Sequence, residues 1–334
     1  MADRDAAIAT FLGLHGWGAA ERRPLAGDAS FRRYDRLRRG TETAVLMDAP
    51  PPMEDVRPFV KIATHLRALG FSAPEVMAED AEAGLLLLQD LGDQTYTRML
   101  DASADAETLY ALAVDTLIAL HKLPAKQAIP AGLPPYGNGR LLDEAFLLPQ
   151  WFMPAFGGGP MDEDARRAYG DAWLEVFPIV HAQPKTLVLR DFHVDNLVFL
   201  SAGEGIRACG LLDFQDALSG APAYDLMSLL EDARRDVDPE IASVMLERYA
   251  EAFPAMDWMA FDDSYTVLAA QRHAKVIGIF TRLKVRDGKG DYLQHIPRVW
   301  RLLENALFNP VLAPVARWFD TYVPAEMRTV PPCP

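Results

Sequence analysis

The chain has 334 residues, of which 50% are hydrophobic and 24% are charged, as is typical of soluble globular proteins. It carries 33 Lys and Arg against 47 Asp and Glu, and the resulting net charge of -14 disfavours partners such as nucleic acids and anionic membranes. Two cysteines, Cys209 and Cys333, make neither a disulfide framework nor a zinc-site spacing. No apolar run reaches the roughly 18–20 residues of a membrane helix. These features favour a soluble enzyme.

The N-terminal residues indicate where the protein works. Asp3 and Asp5 stand among the first five residues, which lack the basic region of a signal peptide. We therefore expect a cytoplasmic location, which also suits a chain with so few cysteines. We expect a monomer.

The first 91 residues predict a small antiparallel sheet with one inserted helix. Apolar residues recur with helical period over residues 4–16 and 54–69. Residues 22–48 alternate in polarity and contain two turns, which predicts a meander of three strands. Residues 75–78 and 85–88 add two further strands.

The remainder of the chain is mainly helical. Ser103 is the expected N-cap of a helix that reaches about Lys122. A second helix is expected over residues 162–182, and helices also occupy most of the chain from 223 to 308. Between them, short β runs are predicted at the following positions: 187–189, 197–200 and 210–212.

This order of elements predicts an α+β, two-lobed, protein-kinase-like fold. An N-terminal antiparallel sheet lobe over residues 1–91 would bind the nucleotide. A mainly helical C-terminal lobe over residues 92–334 would carry the catalytic loop and bind metal and sugar. We place the boundary between them near Leu91 and Gly92.

The residues that indicate chemistry lie around the short β runs. Asp191 is followed five positions later by Asn196, and Asp213 leaves the next β run into Phe214, as in kinase catalytic segments. Phosphoryl transfer needs an acceptor for the hydroxyl proton and oxygen ligands for Mg²⁺. Asp191 would take the first role, and Asn196 and Asp213 would bind the metal. Each half is weak alone, but the ordered pair behind an N-terminal sheet predicts a kinase.

These segments, together with residues 223–230, resemble the aminoglycoside phosphotransferase and choline kinase family. The resemblance covers nearly the whole chain and implies a kinase-like fold, ATP and Mg²⁺. Other segments resemble a narrower group, the anomeric sugar kinases of bacterial cell-wall recycling, which phosphorylate C1 of N-acetylmuramate and N-acetylglucosamine. That group implies an amino-sugar substrate. The segments are residues 25–34, 47–51, 87–93, 271–280 and 297–300.

Within this resemblance, the N-terminal lobe supplies the expected nucleotide site. Backbone N–H groups of a turn would face the phosphates. The segment after the fifth strand, with Gln89 and Leu91, would meet adenine. The residues of the turn are Gly27, Asp28, Ala29 and Ser30.

The sequence departs from the family pattern at the third strand. That strand should carry a phosphate-binding Lys, but Met47 and its neighbours include none, and Leu189 replaces the His before the catalytic loop. Arg32 and Arg33 follow the turn and could replace the Lys. Because side chains alternate along a strand, only one of them can point into the cleft. We predict Arg33 as the nucleotide-binding residue.

A basic segment, residues 271–290, predicts the sugar site. On a helix, Gln271, Lys275 and Arg282 fall on one stripe together with a glycine, which suits close approach of a ligand. A cation there would bind the lactyl carboxylate of a sugar acid. Glu144 is the expected partner of a sugar hydroxyl, and Asp225 is expected to brace the catalytic loop.

Two alternatives remain open. The chain could phosphorylate another hydroxyl compound, such as an aminoglycoside or a choline-like metabolite. The missing Lys would also suit a catalytically silent, nucleotide-binding interaction protein, although Asp191, Asn196 and Asp213 count against it.

Overall fold

A computed structural model describes residues 2–25, 32–157, 159 and 161–333. The chain divides into two compact units, each made of two segments. The first unit contains Met1–Thr116 and Val194–Ala217, and the second contains Leu117–His193 and Leu218–Pro334. The predicted boundary near residues 91–92 falls within the first unit, and the assignment of separate binding roles to the two lobes stays a prediction.

The first unit contains the predicted five-stranded antiparallel sheet. Its strand order is β1-β2-β3-β5-β4, so β5 lies between β3 and β4. The register pairs Leu37 with Ala44 and Leu46 with Leu87. The strands are β1 (Glu21–Pro24), β2 (Arg33–Arg39), β3 (Glu42–Asp48), β4 (Val76–Asp80) and β5 (Leu85–Gln89).

Two helices bury apolar residues in this unit. Helix α1 (Ala2–Leu14) places Phe11 in one core cluster with Leu37 and Leu46 of the sheet. Helix α2 (Arg57–Ala68) buries a second apolar stripe, and Gly70 follows its end at φ +90°. Because both stripes have helical period, these two helices were predictable from the sequence.

The predicted catalytic segment adds a hairpin to the first unit. Strands β7 (Leu197–Phe199) and β8 (Cys209–Leu211) pair antiparallel, with Leu197 opposite Leu211. Helix α3 (Tyr96–Asp101) precedes helix α4 (Ala106–His121), and the predicted cap of the second helix is wrong. Ser103 has φ +63°, and it is Asp105 whose carboxylate accepts the N–H of Thr108 at 3.3 Å.

The second unit is mainly helical. Among its described residues, strand β6 (Thr186–Val188) pairs with β9 (Leu218–Gly220), and the latter strand was not predicted. Three residues are too few for a recognisable alternation in the sequence. The helices are α5 (Ala125–Ala128), α6 (Asn138–Ala145), α7 (Glu163–His181), α8 (Ala223–Leu230), α9 (Pro239–Ala252), α10 (Trp258–Asp287), α11 (Ile296–Leu307) and α12 (Ala313–Tyr322).

Helix α10 forms the centre of this unit. It is buried along most of its length because neighbouring helices pack around it. A Cβ on Gly278 would lie 2.2 Å from the carbonyl carbon of Leu147, so this glycine permits close backbone packing. From the sequence, we expected the glycine at position 278 to leave room for a ligand. In the structure, the backbone of Leu147 and Leu148 occupies that space. None of the helices within the described residues is long and apolar enough to cross a membrane.

Candidate active site

The β7–β8 hairpin brings the predicted metal ligands together in the first unit. Asn196 directly precedes β7 and Asp213 follows shortly after β8, so antiparallel pairing places them side by side. Asn196 Nδ2 donates to Asp213 Oδ2 at 3.5 Å. Gln215 Nε2 donates to Asp213 Oδ1 at 2.8 Å. Asp213 has φ +56°, a conformation that is uncommon for a residue other than glycine.

The donor chemistry of this pair fits Mg²⁺. Asp213 offers a carboxylate, and Asn196 offers an amide oxygen when its amide is turned, both of which are hard oxygen ligands. Within the described ranges, no group of three or more His, Cys, Asp or Glu side chains could hold a metal. Mg²⁺ is commonly held by one or two carboxylates together with phosphate oxygens and water, so two protein ligands are sufficient.

Arg32 extends this half of the site. Its Nη2 lies 3.5 Å from Asp213 Oδ1, and its Nε lies 3.8 Å from Glu54 Oε2. Burial would lower the pKa of Arg32, but Tyr34, Asp213 and Glu54 outweigh it and raise that pKa. The guanidinium therefore stays charged beside Asp213, the predicted metal ligand.

Arg33, which the sequence favoured for nucleotide binding, lies one position along and is exposed. It pairs in register with Asp48 on β3, while Met47 is buried opposite Tyr34. The structure thus brings Arg32 rather than Arg33 to Asp213. Nucleotide contact by Arg33 stays a prediction.

The other predicted nucleotide residues are only partly described. Gly27, Asp28, Ala29 and Ser30 lie outside the described residues. Gln89 ends β5, and together with Leu91 it lines a surface cavity of about 270 Å³. Next to them, Arg36 holds Asp90 at 2.8 Å and Asp93 at 2.5 Å, which fixes the segment after the strand.

In the second unit, the predicted base Asp191 lies in a positively charged environment. Burial would raise the pKa of this carboxyl, but Lys275, followed by His193, Arg190 and Arg272, outweighs burial and holds the pKa below its usual range. Asp191 is therefore ionised at neutral pH and can accept a proton from a hydroxyl.

Asp225 braces the chain before Asp191, as the sequence predicted. Its carboxylate accepts the N–H of Leu189 at 2.6 Å and the N–H of Arg190 at 2.9 Å. Burial raises the pKa of Asp225 to about 7. Arg190 has φ +72°, where an L side chain is strained, so these hydrogen bonds hold an unfavourable backbone conformation.

Three of the predicted sugar-binding residues form one buried network. Glu144 pairs with Arg190 and lies 3.4 Å from Lys275 Nζ. Gln271 Nε2 donates to Glu144 at 3.4 Å, and Tyr136 donates its hydroxyl to the same carboxylate. Glu144, Gln271 and Lys275 are 6%, 0% and 8% exposed, so they mainly contact one another. Direct sugar contact by them stays a prediction.

Arg282, the fourth predicted sugar-binding residue, lies apart from this network. It is half-buried on α10, and its Nε has no hydrogen-bond partner among the described residues. Burial, followed by repulsion from Arg286, lowers its pKa.

Sequence reasoning did not assign roles to Arg190 or Arg234. No sequence pattern predicts the backbone conformation of Arg190. Arg234 was missed because tertiary packing, which the sequence does not reveal, brings its Nη1 to 3.5 Å from His193 Nε2.

Comparison with known proteins gives a consistent result. A family model described as "Phosphotransferase enzyme family" matches residues 21–261. An "N-acetylmuramate/N-acetylglucosamine kinase" of Caulobacter vibrioides is 37% identical, covering 98% of both chains. The protein of the same name from Pseudomonas aeruginosa is 36% identical over 91% of this chain and 89% of its own.

A solved structure supports the fold. The crystal structure of a choline/ethanolamine kinase family protein from Mesorhizobium loti covers 94% of this chain and 99% of its own, with a TM-score of 0.62. Its sequence is only 14% identical. This likeness confirms the predicted α+β, protein-kinase-like fold.

Proposed function

The chain belongs to the phosphotransferase enzyme family, and we propose that it transfers the γ-phosphate of ATP to the anomeric C1 hydroxyl of N-acetylmuramate and N-acetylglucosamine. The names of relatives that are 35–37% identical to this chain support the choice of sugars. The reaction would serve recycling of cell-wall sugars in the cytoplasm, where ATP is available.

The observation that carries the proposal is the state of Asp191. Lys275 and the other nearby cations keep its carboxylate ionised. We assign to it the proton of the C1 hydroxyl. The C1 oxygen then bonds to the γ-phosphorus, the bond from that phosphorus to the β–γ bridging oxygen breaks, and ADP leaves. An anomeric hydroxyl is more acidic than an ordinary alcohol, so a carboxylate base suits it.

The residues of the first unit support the phosphate side of the reaction. Asn196 and Asp213 would hold Mg²⁺, which neutralises phosphate charge when bound. Arg32 is the cation that we assign to the role of the missing strand Lys, since it already lies beside Asp213. This assignment counts against a silent, nucleotide-binding protein, because Arg32, just before β2, would supply the cation that the third strand lacks.

The buried network around Glu144 supports a positioning role. Glu144 holds the guanidinium of Arg190, the residue immediately before Asp191, and Lys275. We assign these side chains to the orientation and charge state of the base. Arg282, which is more accessible than Glu144 and Lys275, keeps its predicted role as a substrate contact.

A coupled assay of ADP release tests the proposal. The full chain would receive Mg-ATP and, in separate reactions, N-acetylmuramate, N-acetylglucosamine, an aminoglycoside and choline. We expect turnover with the two amino sugars, and its loss in Asp191→Asn. Asp164→Asn removes an exposed carboxylate of α7 and serves as the matched control. Turnover with only an aminoglycoside or choline would contradict the sugar assignment, and no turnover with bound ATP would favour the silent protein.

A further inference from the structure

One buried cation of the second unit has a hydrogen-bond donor without a partner in the described part of the chain. Arg272 on α10 is 4% exposed, and the donor is its Nη1. Lys275, about one turn further along the helix, instead donates to the hydroxyl of Tyr224 at 3.3 Å and lies 3.4 Å from Glu144. Because an unpaired buried donor costs free energy, Arg272 indicates that a group from outside the chain completes its hydrogen bonding.

The neighbours of Arg272 on the helix show which part of the unit it faces. Gln271 Nε2 lies 3.4 Å from a carboxylate oxygen of Glu144. His273 Nε2 lies 2.7 Å from a carboxylate oxygen of Glu231. Successive residues of an α-helix point about 100° apart, so the Arg272 side chain leaves the helix between these two contacts.

The two contacts lead to the predicted base on one side and to a second buried charge on the other. Glu144 pairs with Arg190, the residue immediately before Asp191. Glu231 immediately precedes Asp232, which is 1% exposed. Arg272 therefore points into the region between the segment that carries the base and Asp232.

Asp232 carries a hydrogen-bond acceptor that complements the donor of Arg272. Its Oδ1 accepts the backbone N–H of Arg234 at 2.8 Å, while its buried Oδ2 has no hydrogen-bond partner within the described ranges. Burial lowers the pKa of His193, the charge of Asp232 opposes this shift, and the charge of Arg272 adds to it. Both charges therefore act on the residue two positions after Asp191.

The two unpaired atoms match the hydrogen-bonding groups of an amide. Nη1 of Arg272 donates and Oδ2 of Asp232 accepts, and they do not pair with each other. A secondary amide offers an acceptor to the first and a donor to the second, whereas a phosphoryl group offers acceptors only. Both proposed sugars carry such an amide as their 2-acetamido group. That group stands on the carbon next to C1, whose hydroxyl the base would deprotonate.

We propose that Arg272 and Asp232 form the subsite for the 2-acetamido group of the sugar. The guanidinium of Arg272 donates to the amide carbonyl, and the carboxylate of Asp232 accepts the amide N–H. The proposal rests on the proposed function, since it concerns how the same site selects N-acetylated sugars. It assigns this selection to a contact that N-acetylmuramate and N-acetylglucosamine share.

The test is the ratio of kcat/KM for N-acetylglucosamine to kcat/KM for glucose, which carries a hydroxyl at C2. Asp232→Asn keeps an oxygen for the N–H of Arg234 but replaces the unpaired oxygen with an amide donor. Arg272→Met removes the guanidinium, and any effect on the base itself cancels in the ratio. We expect the ratio to fall by about tenfold or more in each variant, as is typical for loss of a charge-assisted hydrogen bond. If glucose is not turned over, the reciprocal of its inhibition constant as a competitor replaces its kcat/KM.

Two exposed residues of the second unit supply matched controls. Asp164→Asn and Arg317→Met make the same changes on α7 and α12, and their ratios should differ from that of the wild type by less than about twofold. An unchanged ratio in either Asp232→Asn or Arg272→Met, including an equal loss with both sugars, would overturn the shared subsite.

A second measurement needs no variant. The wild-type enzyme should use N-acetylglucosamine at least about tenfold more efficiently than glucose, because the shorter C2 hydroxyl leaves a buried donor or acceptor unpaired. Equal use of the two sugars would overturn the proposal even if both variants failed to fold. Turnover with neither N-acetylglucosamine nor N-acetylmuramate would instead contradict the proposed function itself.

Discussion

The Arg32 guanidinium lies 3.5 Å from the carboxylate of Asp213, in a chain whose third strand has no Lys. Arg32 precedes β2, whereas the expected Lys would stand on β3, where Met47 is buried. A cation therefore reaches the predicted metal ligand from the residue before β2 rather than from β3. Because arginine keeps its charge even when buried, it can perform this role without a dedicated partner on the following helix.

Replacing Arg32 tests this relationship. In Arg32→Met we expect kcat/KM for ATP to fall by about tenfold to hundredfold, since a charge-assisted contact to phosphate is lost. Arg33→Met removes the neighbouring, exposed arginine and should have a much smaller effect. Steady-state kinetics with varied ATP measures both. An equal loss in the two variants would show that Arg32 has no special role.

The segments that carry the predicted catalytic residues were recognisable in the sequence because their signal is local. Asp191, Asn196 and Asp213 stand at fixed positions around short apolar runs, and the structure places the last two side by side. The choice between Arg32 and Arg33 was not predictable in this way. The alternation of side chains along a strand predicts that one of the two arginines points inward. Which of them does so depends on where β2 begins.

The buried polar network shows a second limit of sequence reasoning. Gln271 and Lys275 fall on one stripe of a helix, and polarity alone suggested a face open to ligand. Instead, Glu144 from another helix covers that stripe. A polar stripe whose hydrogen bonds go to other parts of the protein has the same sequence pattern as one whose hydrogen bonds go to a ligand. Only the packing around the helix distinguishes the two cases.

The strained backbone at Arg190 predicts a difference in stability between two variants at this position. Both Arg190→Ala and Arg190→Gly lose the ion pair with Glu144, but only glycine adopts φ +72° without strain. We expect the glycine variant to be about 1 kcal/mol more stable than the alanine variant. Urea unfolding measures the difference. A more stable alanine variant would contradict the backbone conformation described for the catalytic segment.

Lys275 lowers the pKa of Asp191, the proposed base, and we therefore expect it to influence the pH dependence of the reaction. It is the strongest of the cations that lower the pKa of Asp191. In Lys275→Met that pKa should rise, so the acidic limb of the profile of kcat/KM against pH should move to higher pH. Lys126→Met removes an exposed lysine and should leave the limb in place. A limb that does not move in Lys275→Met would argue against this electrostatic role.

His121 predicts a loss of stability in acid. Burial lowers its pKa from 6.5 to about 3, and its Nδ1 lies 2.8 Å from the hydroxyl of Tyr249. Because the folded-state pKa is the lower one, this stabilisation is complete above pH 6.5 and is lost as the pH falls toward 3.

The size of this effect can be measured by urea unfolding at several pH values. As the pH falls from 6.5 toward about 3, protonation of His121 alone should lower the free energy of unfolding by about 1.4 kcal/mol per pH unit. His121→Gln should be less sensitive to acid than the wild type, while His15→Gln, at an exposed position, should retain the wild-type slope. Identical slopes in all three proteins would contradict the assignment.

The central claim is transfer of phosphate to C1, and ³¹P NMR tests it most directly. The full chain would be incubated with Mg-ATP and N-acetylglucosamine, then with N-acetylmuramate, with Asp191→Asn in parallel. We predict a new sugar 1-phosphate signal, coupled to the anomeric proton, that grows as ATP is consumed and is absent with the variant. A phosphate signal coupled to another sugar proton, or equal product with Asp191→Asn, would contradict the account.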